Sequence, residues 1–591
     1  MSYRAPVEDI LFTLNEVAGL GHAIESGLYG DLTPDLVEAI LEEAARFGNE
    51  RIAPLNRIGD QVGAKLEGGA VTLPQGWKET YQAWAEAGWN SVSCDPGWGG
   101  QGLPSLVQAA CTEIWNSASM AFALGPLLTA GAVEAIDAHG SAELKERYLS
   151  KLIAGEWTGT MNLTEPQAGS DLSTMRSRAE PVGDGTYKIT GQKIFITYGE
   201  HDLTDNIIHL VLARLPDAPA GTRGISLFLV PKVLPDGTRN DVHCGGIEHK
   251  LGIHASPTCT MIFGDKGGAI GWLVGEENRG LNCMFTMMNN ARLAMGLQGV
   301  GIAERAYQQA LGYAKERRQG KAQGSQDASF IIEHADVKRM LLTMKSQIHA
   351  ARGICYLTAA SIDRARLETS EEARRAAHER ASLLTPVAKA YGTDIGCEVA
   401  SLGVQVHGGM GFVEETGAAQ HMRDARIAPI YEGTNGIQAI DLVVRKLPAS
   451  GGSAVRRVID EMSETEQRLS ASDNPDLVAV GVRLKEVISS FRRATDFLLQ
   501  SLESNTPQNA LAGATSYLTL FGHTLGLASL SQTALAAHRA IQEGAAAPAH
   551  QGRIALARFF ADQIAPQVLS LEQATLTAQS TLAGADLALA S

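Results

Sequence analysis

The sequence predicts an α+β fold that is mainly α: a helical N-domain, a middle β-domain, a helical bundle and an additional C-terminal helical domain. Three observations carry this. Apolar residues recur at helical spacing from about 36 to 155. Between about 158 and 278, short runs rich in β-branched and aromatic residues alternate with Gly, Pro and Asp. From Asn282 onward the helical period returns in long stretches. Helix, strand, then helix, with no alternating βαβ units, argues against a Rossmann-type parallel sheet. The glycine-rich pieces are therefore not dinucleotide fingerprints of that kind.

Residues 1–35 form an N-terminal extension of short amphipathic pieces broken by Gly and Pro. Asp31-Leu-Thr-Pro-Asp35 starts a helix, with a proline and acidic residues ahead of the apolar run. The N-terminal helical domain is expected over 36–157. Trp77, Tyr81, Trp84 and Trp89 fall at spacings that suit a core-facing helix, and the loop 94–104 reads as a tight inter-helix turn. The middle β-domain is expected over 158–278. A Val182-Gly-Asp-Gly185 turn leads into strands at 187–190, 193–197, 207–213 and 225–230, and 272–276 closes the domain. The bundle is expected over 279–448, with helices at 287–318, 327–363, 370–404 and 436–446. Residues 448–453 read as a linker. The additional domain, 454–591, is expected as helices at 454–503, 508–543 and 548–585, used for packing or oligomerisation.

Composition narrows the function classes. The 591 residues carry a formal net charge of −15, which disfavours sequence-blind nucleic-acid binding. The seven cysteines are scattered, without a Cys-x-x-Cys pair, and read as reduced intracellular thiols. The N-terminus lacks a signal-peptide core and no run of 18 apolar residues exists, so a cytoplasmic protein without a transmembrane segment is expected.

Five segments carry chemistry. In 422–438, Glu432 stands between Tyr431 and Gly433 after an apolar Ile-Ala-Pro-Ile approach. Apolar surroundings raise a carboxyl pKa toward neutrality, which suits a general base. Gly433 leaves the backbone open to a ligand. An exposed Glu beside a turn glycine is the ordinary alternative. Segment 161–171, Met-Asn-Leu-Thr-Glu-Pro-Gln-Ala-Gly-Ser-Asp, offers hydroxyls at Thr164 and Ser170 and bare backbone at Gly169. Taken alone it is a polar loop, and 191–199 taken alone is a strand. The remaining two are Arg292 after Asn289-Asn-Ala in a long helix, and the pair formed by 316–321 and the glycine-rich 403–412.

Together, and in this order, these segments resemble those of the acyl-CoA dehydrogenase flavoenzymes, and the whole length is similar to a long bacterial subgroup of that family. The resemblance implies FAD as cofactor. It implies that backbone at Met161, Leu163 and Gly169, with Thr164 and Ser170, meets flavin or pantetheine. Phe195 would pack along the flavin, Ile196 would stand beside it in the cofactor set, and Thr197 would bond N5. Arg317, Gln405, Gly408 and Gly409 would hold the pyrophosphate across a homodimer interface, with Thr434 and Asn435 completing the cofactor set. Ser170, Arg292, Tyr431, Glu432 and Gly433 would meet the acyl-CoA. Some members place their base one residue before Arg292; here that residue is Ala291, which leaves Glu432. The register after Arg318 departs from the commoner family form. The implied reaction is α,β-dehydrogenation of a fatty acyl-CoA or 3-methylthiopropionyl-CoA, with electrons passed to an electron-transfer flavoprotein. The alternatives are an acyl-CoA oxidase using oxygen, or a non-catalytic nucleic-acid-associated flavoprotein; the charge and the intact Glu432 argue against the latter.

Overall fold

The computed structural model describes residues 3–504, 506–545 and 548–590. It divides into two compact units. One holds the described residues up to Ala45, with Ser105–Ser117 and those from Arg292 on; the other holds Arg46–Pro104 and Ala118–Ala291.

The second unit contains the strands. These are β1 Lys65–Glu67, β2 Ala70–Thr72, β3 Thr158–Asn162, β4 Arg178–Pro181, β5 Tyr187–Thr197, β6 Ile207–Ala213, β7 Ser226–Pro231, β8 Val242–Ile247, β9 Thr258–Phe263 and β10 Ala269–Val274. Eight of them form one sheet in the order β3-β6-β7-β10-β5-β9-β8, with β4 beside β5. Only β3 and β6 run parallel; the other pairs in this sheet are antiparallel. The two strands expected at 187–190 and 193–197 are one strand, β5, carried through Gly191 and bent by a bulge between Lys193 and Ile196. Strands β1 and β2, inside the expected helical N-domain, and β3, β4, β8 and β9 were not expected. They are short or contain Gly, Asn and Cys, so period-2 patterning is weak in them.

Trp77, Tyr81, Trp84 and Trp89 are buried, as expected. Each polar ring atom of the first three has a partner: Trp77 Nε1 donates to Tyr198 Oη (3.3 Å), Tyr81 Oη to the Gly155 carbonyl (3.1 Å), and Trp84 Nε1 to Asn90 Oδ1 (2.9 Å). The Met120–His139 helix is long and apolar enough to cross a membrane by length and composition, although it holds no unbroken run of 18 apolar residues. Glu134 and Asp137 interrupt the run without lowering its mean hydropathy enough. Within the fold, 78% of the apolar window is buried. It packs on β3 so closely that a Cβ on Gly159 would lie 2.4 Å from Ala132.

The first unit is helical. Its long elements are Ala335–Leu367, Glu371–His407, Ser453–Ser470, Pro475–Glu503, Pro507–Gln542, Pro548–Gln563 and Gln567–Leu582, together with the part of Gly280–Glu316 from Arg292 on. The helix expected at 454–503 breaks at 471–474. There Asn474 Oδ1 accepts from the amide of Asp476 (2.9 Å), and Pro475 opens the next helix. The helix expected at 436–446 is α-helical over Asn435–Asp441 and then widens to a π turn over Leu442–Lys446. The linker is a turn with Ser450, Gly451 and Gly452 all at positive φ.

Two helices of this unit meet backbone to backbone. A Cβ on Gly299 would stand 2.0 Å from the Gly392 carbonyl oxygen. The N-terminal helix Val7–Glu16 is tied in by Arg553, whose Nη2 donates to Asp9 Oδ1 (2.9 Å) and Glu8 Oε1 (3.2 Å). Deeper in the same unit, fully buried Arg352 donates to Glu113 Oε1 (2.8 Å) and Glu304 Oε2 (3.1 Å), and Tyr356 Oη donates to Glu113 Oε2 (2.6 Å).

Candidate active site

Glu432 lies on the turn between the helices Ala418–Ala425 and Asn435–Asp441. Pro429 ends helical continuation, and Thr434 caps the second helix by accepting from the Ile437 amide (3.2 Å). Glu432 and Gly433 are both left-handed, at φ +56° and +83°. For a non-glycine residue this conformation costs ~1–2 kcal/mol. Such strain gathers at functional sites, where neighbours hold it in place.

Several bonds do so here. Gln438 Nε2 donates to the Glu432 carbonyl (3.2 Å). Lys389 Nζ donates to the Ala428 carbonyl (3.0 Å) and to Asn435 Oδ1 (2.8 Å). Asn435 Nδ2 in turn donates to Asp394 Oδ1 (2.7 Å) and Thr393 Oγ1 (3.0 Å). The side chain of Asn435 is therefore committed inside the bundle. Tyr431 Oη donates to buried Gln298 in a short bond. Arg292 is buried, with Nη1 3.6 Å from Asp441 Oδ2, and Arg445 Nε donates to the other oxygen of Asp441 at 2.6 Å.

The Glu432 carboxyl keeps some contact with solvent yet lies deep among protein atoms. Burial pushes its pKa up to about 7 from the ordinary 4.5, against the pull of Arg292 and Lys389. Burial in the same place draws Lys389 down to about 8, opposed by Asp394 and Glu432. Among the described residues, neither the carboxylate nor the amide N–H of Glu432 has a hydrogen-bond partner. A group that accepts protons near neutrality and a free donor are thus carried by one residue.

At the end of the Glu371–His407 helix, His407 Nδ1 bonds the Gly403 carbonyl (2.7 Å), and its ring stacks on Tyr313. Gly411 allows a close turn, since a Cβ there would meet the Val404 oxygen at 2.2 Å. Gln405, Gly408 and Gly409 are exposed, and Phe412 is 87% exposed. Arg318 lies over the Phe330 ring at 3.8 Å and donates to the Ala328 carbonyl (2.9 Å). Arg317 is exposed, and among the described residues its side chain bonds nothing. Arg318 thus has partners in its own chain, while Arg317, the residue named from sequence, is exposed.

In the strand-bearing unit, the loop after β3 is laced to β5. The Ile194 amide donates to the Thr164 carbonyl (2.9 Å), and Lys193 Nζ donates to the Leu163 carbonyl (3.0 Å) and Glu165 Oε1 (2.9 Å). Met161 and Leu163 are partly buried against the sheet, while Gly169 and Ser170 are exposed. Phe195 stands at φ +60° and is 58% exposed, thrown outward by the bulge. Ile196 is buried in the core, so its backbone is the part available to a ligand. The hydroxyls of Thr164, Ser170 and Thr197 have no partner among the described residues. Unspent hydroxyls, bare glycine backbone and an outward aromatic ring suit the polar edge and flat face of a flavin.

Sequence reading missed Lys193, Glu165, Lys389, Gln298, Gln438 and Asp441. A signal existed for one of them: Lys389 is a lone cation inside the apolar Pro386-Val-Ala-Lys-Ala-Tyr391 run.

Four family models match the chain: the acyl-CoA dehydrogenase N-terminal domain at 35–156, its middle domain at 160–266, its C-terminal domain at 278–447, and an acetyl-CoA dehydrogenase C-terminal-like domain at 458–586. The chain is 49% identical to 3-methylmercaptopropionyl-CoA dehydrogenase of Ruegeria pomeroyi, over 95% of this chain and 96% of that protein. It is 33% identical to a butyryl-CoA dehydrogenase of Syntrophomonas wolfei, over 98% of each. Among solved structures, a Bacillus anthracis acyl-CoA dehydrogenase complexed with FAD shares the fold, with a TM-score of 0.75 and 22% identity over 92% of this chain and 88% of that one.

Proposed function

The chain belongs to the acyl-CoA dehydrogenase family and is an FAD-dependent oxidoreductase, and from that premise we propose that Glu432 is the base that takes the α-proton of the acyl-CoA. The observation that carries this is the unbonded Glu432 carboxyl with its pKa near 7. A base matched to the working pH contributes ~10²–10⁴-fold. The free Glu432 amide is suited to donate to the thioester oxygen as that oxygen gains charge on α-deprotonation. The charges of Arg292 and Lys389 offset that desolvation by favouring the ionised carboxylate.

FAD, when bound, supplies the hydride acceptor for the β-carbon. Thr164, Ser170 and Thr197, with the backbone of 161–163 and the ring of Phe195, are the groups we assign to its flavin. Arg317, Gln405, Gly408 and Gly409 are assigned to its pyrophosphate in a partner subunit. The exposed Arg317 and Gln405, beside exposed Met410, Phe412 and Val413, support a homodimer. An electron-transfer flavoprotein is the proposed electron acceptor. The cytoplasm is the proposed compartment, supported by seven cysteines that are all unpaired.

For substrate we propose a short acyl-CoA, with 3-methylthiopropionyl-CoA first, on the strength of the 49% identical relative. The test is anaerobic titration with a panel of acyl-CoAs, following loss of flavin absorbance. Bleaching by 3-methylthiopropionyl-CoA ahead of straight chains is expected. Bleaching by long chains alone refutes the substrate, and stoichiometric hydrogen peroxide in aerobic turnover refutes the electron acceptor.

A further inference from the structure

Lys193 has no exposed surface, and Glu165 retains 3%. A charge taken so far from water is tolerated only when paired and fully bonded. Lys193 Nζ reaches the Leu163 carbonyl (3.0 Å) and Glu165 Oε1 (2.9 Å). Glu165 also accepts from the Arg176 amide (2.7 Å), the Ser177 amide (3.0 Å) and Ser177 Oγ (2.6 Å). Burial lowers the Lys193 pKa only to about 8. For Glu165, the Lys193 charge and these donors outweigh burial and hold it at about 2, so the pair is ionised at neutral pH.

The bonds run between defined places. One end of the pair stands on β5, directly before the bulge that turns Phe195 outward. The other end sits in the loop between Leu163 and Ser170; it also accepts from Gln167 Nε2 within the loop (2.6 Å) and fastens the loop's exit at 176–177. Arg214 completes the lacing by donating to the Met175 (3.0 Å) and Ser173 (2.7 Å) carbonyls. The Lys193 and Glu165 charges are spent internally, whereas the Thr164, Ser170 and Thr197 hydroxyls have no partner among the described residues.

We infer that Lys193, paired with Glu165, is a positioning residue for FAD: its ammonium fixes the Leu163–Thr164 backbone to β5 before the cofactor arrives. This rests on the assignment of the 161–170 loop and of 195–197 to the flavin. Preorganisation of this kind contributes to affinity by removing the ordering cost from the binding step.

The test compares three proteins for FAD affinity of the apoprotein, position of the bound flavin's absorbance bands, and melting of the apoprotein. In Lys193→Met/Glu165→Gln the charges leave together, so no buried ion is stranded. The expected result is FAD affinity reduced at least tenfold and shifted flavin bands, with apoprotein melting close to wild type. Wild-type affinity and bands in the double variant overturn the inference, as does lowered melting with unchanged affinity of the folded fraction. Thr164→Val separates this from the underlying assignment. If it leaves FAD affinity and bands unchanged, the flavin role of the loop fails; if it alters them while the double variant does not, only the role of Lys193 fails. Should the double variant not fold, hydrogen exchange of the wild type decides. Protection of the 161–170 amides already in the apoprotein supports the inference. Exchange at unfolded rates until FAD is added overturns it.

Discussion

Glu432→Gln keeps the size and shape of the side chain and removes its ability to ionise, so it separates catalysis from folding in one protein. On activity, loss of the base is expected to lower dehydrogenation by ~10²–10⁴-fold while FAD stays bound. On stability, the same change has the opposite sign. In the folded chain the carboxyl holds its proton up to about pH 7, and in the unfolded chain it releases it near 4.5. Between those values the folded state binds more protons than the unfolded state, so stability falls as pH rises through the window. Above pH 7 the full cost applies: about 2.5 pH units at ~1.4 kcal/mol each, or ~3.5 kcal/mol. Glutamine bears none of it. Residual solvent contact makes ~3.5 kcal/mol an upper figure. Taking ~2.1 cal/mol/K of unfolding entropy per residue, a cooperative 591-residue chain would melt ~2–3 °C higher as the glutamine variant at pH 8. The gap should close at pH 4.5 and below. The assay is calorimetric melting of both proteins at two pH values, beside single-turnover flavin reduction. A glutamine variant with near-normal turnover refutes the role as base. A melting gap that is the same at both pH values refutes the buried ionisable carboxyl.

For the wild type, kcat/KM should rise with pH through an inflection near 7 as Glu432 ionises; a flat profile from pH 5.5 to 8.5 contradicts this. Arg317→Ala should reduce FAD retained on gel filtration without changing the fold, since the side chain bonds nothing in its own chain; unchanged cofactor content counts against the cross-subunit assignment. Asn435→Ala strips partners from Lys389 and Asp394 and should cost ~1–3 kcal/mol in melting experiments, with lower kcat because the Glu432 turn loosens; full activity would separate that turn from its Asn435 anchor. Arg352→Met leaves Glu113 and Glu304 buried without their cation and should cost ~3–5 kcal/mol; a melting temperature unchanged at neutral pH would show that the carboxyls take up protons instead.

The sequence by itself determined the class of the fold and the identity of the segments that carry chemistry. Both are local properties. Helical period over tens of residues and β-branched runs between turn residues survive without knowledge of neighbours. So does the succession of Thr164, Ser170, Thr197, Arg292 and Glu432 along the chain. Element ends were legible where punctuation is strong. They were missed where it is subtle, as at 471–474, where Asn474 and Pro475 restart a helix.

What only tertiary structure decided is where each side chain spends its bonds. Asn435 and Ile196 look as available in sequence as Thr197 does. Packing commits the first to Lys389, Thr393 and Asp394 and the second to the sheet core, and leaves the hydroxyl of Thr197 free. Arg317 and Arg318 are adjacent and chemically identical, and the fold gives Arg318 the Phe330 ring and the Ala328 carbonyl while leaving Arg317 exposed. The same holds for charge. Burial that raises Glu432 to about 7, and pairing that keeps Lys193 ionised beside Glu165, both depend on atoms far away in the chain. Desolvation and Coulomb attraction act through space, so a linear sequence names the ionisable groups and the fold sets their charge.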